Sequence, residues 1–178
     1  MKKEDILEVL ITEEKLKEIC KELGKQISRD YEGKNLLIVS ILKGAVVFLS
    51  DILREITCDC RIDFMAVSSY SGAKTTGVVK FKKDLDINPD GCDILIVEDI
   101  LDSGITLAYL KNILKDRNAA SIKICTLLDK PDNRKSDIKA DYVGAVIPDK
   151  FVVGYGLDYD EKYRNLPYVG VLSPSVYE

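Results

Sequence analysis

After Thr12, the apolar residues Leu16, Ile19, Leu23 and Ile27 recur every three or four positions with charged residues between them, which predicts an amphipathic helix over about 12–30. Thr12 offers a capping hydroxyl, and Glu13 and Glu14 fall at the positive end of the helix dipole. The pattern then changes to a continuous apolar run, Leu36 to Leu42, which suits a strand buried on both faces. Lys43 and Gly44 interrupt it before another apolar stretch through Leu53, so strand, tight turn and buried helix follow in order.

Ile62 to Val67 and Val78 to Phe81 read as strands. Between them, Ser68 to Gly77 are small, polar and punctuated by glycine, which predicts a mobile loop. Ile94 to Val97 is a buried strand by the same apolar reading. Ile105 to Lys115 is a helix carrying Leu107, Leu110, Ile113 and Leu114 on one side, and Ser121 to Leu128 is again a strand. Strand, helix and strand in series imply an α/β fold with a mostly parallel central sheet and right-handed crossovers. After Pro131 come short strands at Tyr142 to Ile147, Phe151 to Val153 and Tyr168 to Leu172. This tail is expected to form a small cap over the carboxyl ends of the strands, where open α/β folds bind ligands.

At 178 residues a single domain over 1–178 is expected. Hydrophobic and charged shares of 46% and 31% are those of a soluble globular protein, and no apolar stretch approaches the roughly 20 residues that span a bilayer. Lys2 and Lys3 are followed at once by Glu4 and Asp5 rather than by an apolar core, so no signal peptide is read and a cytoplasmic location is expected. The five cysteines are odd in number and lack C-x-x-C spacing, which favours reduced, packed thiols over disulfides or zinc, including the neighbours Cys58 and Cys60 on one strand face.

The composition contains no histidine, which removes Ser-His-Asp and Cys-His catalysis and H-E-x-x-H zinc chemistry together. Carboxylates, lysines, arginines, tyrosines or backbone amides must do whatever chemistry occurs. A formal charge of −4 argues against general nucleic-acid binding.

One segment concentrates the candidate chemistry: Val97 Glu98 Asp99 Ile100 Leu101 Asp102 Ser103 Gly104 Ile105 Thr106. Glu98 and Asp99 end a buried strand, and the turn from Asp102 opens a helix whose first amides are free to hold an anion. Gly104 allows close backbone approach, while Ser103 and Thr106 add hydroxyls. Acids beside a phosphate need a diol or a cation as partner, so a ribose phosphate with Mg²⁺ fits the residue set. The plainer alternative is that Asp102 or Ser103 caps the helix and the acidic pair is a solvated strand end. No G-x-x-x-x-G-K-[ST] occurs, and Gly154 Tyr155 Gly156 lacks the third glycine of a dinucleotide fingerprint.

The run VEDILDSGIT, with its apolar lead-in and following helix, resembles the signature of the type I phosphoribosyltransferases. Leu42 Lys43 Gly44, Ser69 Tyr70, Leu128 Asp129 Lys130 Pro131 and the stretch from Ile147 to Asp158 extend the resemblance from about residue 35 onward, toward the hypoxanthine-guanine branch. The resemblance implies the type I fold, with a core of about 30–130 and a hood from the N-terminal segment and about 131–178. It also implies Mg²⁺-dependent transfer of phosphoribose from 5-phosphoribosyl-1-pyrophosphate to N9 of a 6-oxopurine, in a homodimer or homotetramer without nucleic-acid or membrane partners.

By the same resemblance Asp102 is the general acid/base at N7 of the purine. Ser103, Gly104, Ile105 and Thr106 hold the 5-phosphate, with Ile105 standing where some relatives have a basic residue. Glu98 and Asp99 take the ribose hydroxyls and, with Asp158, the metal. Lys43 and Gly44 present amides to the pyrophosphate beside a Leu42–Lys43 peptide that is often cis, and Arg164 contacts the same phosphates. Lys130 donates to the 6-oxo group, Phe151 stacks on the base, Val152 reads its edge, Asp158 also borders it, and Ser69 and Tyr70 ride a closing loop. Each has an ordinary reading too: a surface lysine for Lys130, core packing for Phe151, surface charges for Asp158 and Arg164. Other readings of the chain are a nucleic-acid-binding sensor of the same sugar phosphate, a phosphoacceptor signalling domain, and the same transfer to xanthine or a pyrimidine.

Overall fold

The computed structural model describes residues 3–69 and 79–177, so the expected loop from Tyr70 onward, and Val78, lie outside the described residues. The elements in order are β1 (Ile6–Ile11), α1 (Glu13–Tyr31), β2 (Leu36–Leu42), α2 (Val46–Glu55), β3 (Cys60–Ser69), β4 (Val79–Lys83) and β5 (Asp93–Leu101). They continue with α3 (Ile105–Asp116), β6 (Ser121–Asp129), β7 (Tyr142–Val146), β8 (Val152–Val153), β9 (Val169–Leu172) and a last turn of helix, α4 (Pro174–Tyr177). Thr12 caps α1 as its sequence predicts, its hydroxyl accepting from the Lys15 amide at 3.3 Å.

A six-stranded sheet runs β4-β3-β2-β5-β6-β7, parallel except for β4 at its edge. Burial on both faces explains the continuous apolar runs of β2 and β5. Leu36 and Ile38 of β2 join Leu95 and Val97 of β5 on the side of α1 and α2, while Leu37 and Val39 join Ile94 and Ile96 on the side of α3. No described helix is long and apolar enough to cross a membrane.

Two expectations are corrected, and one further strand appears. β5 does not stop at Glu98 and Asp99 but pairs with β6 through Leu101, because hydrogen bonding to a neighbour, not hydropathy, sets a strand's end. β7 belongs to the main sheet, parallel to β6, rather than to a cap. Ile6–Ile11, which has no clear alternation, becomes a strand by pairing with β9, and β9 also pairs with β8 to make a separate three-stranded antiparallel sheet. The cysteines are free; Cys58 precedes β3 instead of lying on it, yet both it and Cys60 pack into the α1/α2 side of the core.

The sheet's far edge is anchored by a buried acid. Asp63, 5% exposed, accepts from the amides of Phe64, Asp86 and Ile87 at 2.7–2.8 Å and pairs with Lys83 at 3.3 Å. Burial pushes its carboxyl up, but the three amides and Lys83 outweigh that and leave it below the ordinary value. Since an unfolded Asp titrates near about 3.9, the stabilisation is full at neutral pH and is lost as pH falls through that value toward the lower folded one. Asp63→Asn is therefore expected to cost about 2–3 kcal/mol at pH 7 and less at pH 3, as measured by urea unfolding at the two pH values. An equal cost at both would show that the charge is not what matters.

Candidate active site

Parallel neighbours β2, β5 and β6 end on the same side of the sheet, so their following turns converge: Lys43–Gly44 after β2, Asp102–Gly104 after β5 and Lys130 after β6. The turn after β5 enters α3 through Gly104 in the left-handed region, φ 76°, which glycine adopts without strain. No side chain caps this helix, which answers the capping alternative for Asp102 and Ser103 and leaves the first amides available to an anion. A small cavity of about 150 Å³ lies over them, lined by Glu98, Asp102, Ser103, Gly104 and Thr106 among others. Ile105 is exposed and is not among the residues lining this cavity.

Gly104 does more than admit a ligand. A Cβ there would strike Ile138 Cγ2 and Ser136 Oγ, so the close approach it permits is that of the chain's own 134–138 segment. Gly44 has a comparable reason: a Cβ would collide with the Asp99 carboxylate, which lies against the turn after β2. The Leu42–Lys43 peptide in that turn is cis.

Over Glu98–Ile100 the alternation of β5 slips by one, since Val97 and Ile100 face one side of the sheet and Ile96 and Leu101 the other. The acids at the slip are half-buried. Burial, then the neighbouring Asp99, pushes Glu98 well above the usual carboxylate range, and burial pushes Asp99 up to about 6 against the lowering effect of the Ile100 amide. Asp99 Oδ1 accepts that amide at 2.7 Å. Glu98 Oε2 and Asp102 Oδ1 are buried without a hydrogen-bond partner among the described residues. Such atoms want a donor or a cation, which a ribose diol and a metal would supply.

A second cleft, about 400 Å³, adjoins the first and shares Ile100 and Asp102 with it. Lys130, Phe151, Val152 and Asp158 line it, together with Asp149 and Leu157, for which no role is read from the residues alone. Lys130 is 8% exposed and is no surface lysine; its ammonium is held by Asp149 at 2.7 Å. Phe151 is 40% exposed, so it is not core, and it stacks on Tyr177 with ring centroids 5.0 Å apart and meets Tyr159 edge-on at 5.7 Å. Val152 is fixed by β8 pairing with β9.

On the other flank, Arg164 donates to the Gly156 carbonyl at 2.8 Å and pairs with Asp158 at 2.9 Å and Glu161 at 3.2 Å. Lys43 reaches the same Glu161 at 3.0 Å. Glu98, Asp99 and Asp158 do not form a ready-made three-carboxylate metal cluster among the described residues. The Ser69 backbone closes β3, and Tyr70 lies outside the described residues. Arg134 reaches the turn after β5, bonding the Asp102 carbonyl, with no signal in the sequence: it sits in the polar run Asn133–Asp137, and nothing in that pattern distinguishes it from a solvated charge.

With this geometry in place, comparison with known proteins is decisive. Residues 10–160 match the phosphoribosyl transferase domain model, and the chain belongs to that family, with the type I fold. The hypoxanthine-guanine phosphoribosyltransferase of Bacillus subtilis is 54% identical over 179 residues, covering 100% of this chain and 99% of that protein. A solved structure of the hypoxanthine phosphoribosyltransferase from Staphylococcus aureus superposes with a TM-score of 0.95 at 54% identity, covering 98% of this chain and 96% of that one. The bifunctional protein TilS/HprT of Listeria monocytogenes is 52% identical over 174 residues, 97% of this chain, which spans 27% of that protein's length.

Proposed function

We propose that the chain transfers the 5-phosphoribosyl group of 5-phosphoribosyl-1-pyrophosphate to N9 of hypoxanthine and guanine, releasing pyrophosphate, as a purine-salvage enzyme. One observation carries the reading: an anion cradle and a base-sized cleft adjoin and share Asp102. The names of the Bacillus and Staphylococcus relatives support the same substrates.

The amides of Ser103 to Thr106 and the two hydroxyls grip the 5-phosphate, while Glu98 and Asp99 accept from the ribose 2- and 3-hydroxyls. In the adjoining cleft, Phe151 stacks on the purine and the Val152 backbone reads its edge. Lys130 donates to the 6-oxo oxygen, an acceptor that adenine lacks. N9 forms its bond to C1 as the bond from C1 to the pyrophosphate oxygen breaks, with positive charge developing on the ribose ring. Asp102 accepts the N7 proton that the base must lose, and pyrophosphate departs with the electron pair, held by the Lys43–Gly44 amides and Arg164.

Mg²⁺ fits this residue set as an ion shared with substrate oxygens: a buried Glu98 oxygen lacks a partner among the described residues, and one or two carboxylates plus phosphates are the usual magnesium ligands. Glu98 and Asp99 would hold it at the diol, and Asp158 would hold it beside the leaving group. When bound it supplies charge neutralisation at the diol and the leaving group.

The test offers hypoxanthine, guanine, xanthine, adenine and uracil separately to the purified protein with 5-phosphoribosyl-1-pyrophosphate and Mg²⁺, and follows nucleotide formation by chromatography. Nucleotide is expected from hypoxanthine and guanine and not from adenine or uracil. Failure with every 6-oxopurine would overturn the proposal.

A further inference from the structure

A turn that aims its amides at a ligand turns its carbonyls the other way, and buried carbonyls need donors. In the turn after β5 those donors come from one short segment. Arg134 Nε donates to the Asp102 carbonyl at 2.9 Å and its Nη2 to the Leu101 carbonyl at 3.2 Å, while the Lys135 amide and the Ser136 hydroxyl donate to the Ser103 carbonyl at 2.9 and 3.3 Å. The guanidinium is itself held from two further sides. Nη1 donates to the Ile138 carbonyl at 2.9 Å, and Nη2 pairs with the Asp129 carboxylate.

This side chain is 16% exposed and lies across the back of the turn, where Gly104 has no side chain to obstruct the 134–138 segment. Asp129 immediately precedes Lys130, whose amide donates to the same Leu101 carbonyl at 3.0 Å. One guanidinium thus ties the turn bearing Asp102 to the strand end bearing Lys130. Only a planar fork with several donors can serve four acceptors at once; an ammonium cannot.

We infer that Arg134 is a positioning residue for phosphoribosyl transfer, setting the Asp102 turn against Lys130 from behind by holding the Leu101 and Asp102 carbonyls and the Asp129 carboxylate. The inference rests on the proposed phosphoribosyl-transfer reading. Arg134 touches no substrate; it acts through the placement of the Asp102 carboxyl and the cradle amides, and displacements of about 1 Å at such a site cost on the order of a hundredfold in rate.

The experiment compares kcat and KM for Arg134→Ala and Arg134→Lys with the parent protein, with hypoxanthine as acceptor, well below each variant's Tm. Arg134→Ala is assayed with and without added guanidinium ion. A kcat loss of about 10- to 100-fold is expected in both variants, larger than any change in KM for hypoxanthine, with guanidinium restoring part of it in Arg134→Ala alone. Parent-level kcat in either folded variant would overturn the assignment and leave Arg134 as a brace, even if Tm fell. Should Arg134→Ala not fold, Arg134→Lys decides, since it keeps the stem and charge and loses the fork. A parent protein without turnover would strike instead at phosphoribosyl transfer. Arg134 would then be judged on ribose 5-phosphate binding by calorimetry, with weakening in the variants supporting the inference and unchanged binding overturning it.

Discussion

Asp102→Asn is expected to lower kcat about 100- to 1000-fold, the usual share of a positioned proton acceptor. Binding of IMP, measured by calorimetry, should change little. The separation follows from the way the residue is held. Its backbone carbonyl is bonded to Arg134, so the turn's shape does not depend on the side chain, and one carboxyl oxygen is buried with no partner among the described residues. Asparagine keeps the volume and removes the ability to take the N7 proton. A variant with parent-level kcat would remove Asp102 from the acid/base role, whereas parallel loss of IMP binding would show that the side chain shapes the cradle.

Lys130→Ala should raise KM for hypoxanthine by about 10- to 100-fold, the value of one hydrogen bond from a charged donor, and should narrow the preference over adenine. Folding should survive, because the partner left behind, Asp149, is 56% exposed and can be hydrated. Steady-state kinetics with the two bases checks both halves. An unchanged ratio of kcat/KM between hypoxanthine and adenine would assign base choice to other residues of the cleft.

Much of this site is legible in the residues alone, because its parts are short contiguous motifs at strand ends. The β5 turn carries a local signal of its own and Lys130 and the Phe151–Val152 pair stand out through the family resemblance; parallel strands bring the first two to one side of the main sheet, and the small antiparallel sheet supplies the third. What hydropathy does not carry is partnership. The acids of β5 look like a strand end because charge interrupts the apolar run, yet pairing with β6 carries the strand on to Leu101. β7 resembles its cap-forming neighbours in length and composition, and only its parallel pairing with β6 places it in the main sheet. Arg134 is harder still: its four acceptors come from four different residues in three stretches of chain, and no spacing rule in the sequence brings them to one guanidinium.

The small sheet has a consequence for the order in which the molecule is built. Among the described strands β1 pairs with β9, joining Ile6 to Leu172, and β8, which seats Val152 at the base cleft, pairs with the same strand. A chain emerging from the ribosome has the phosphate cradle and most of the parallel sheet in hand while β1 still waits as an unpaired strand. The β8–β9 pairing behind the base cleft is local, whereas docking β1 onto β9 closes a loop of nearly the whole chain, so the greater loop-closure entropy falls on the outer strand of the small sheet.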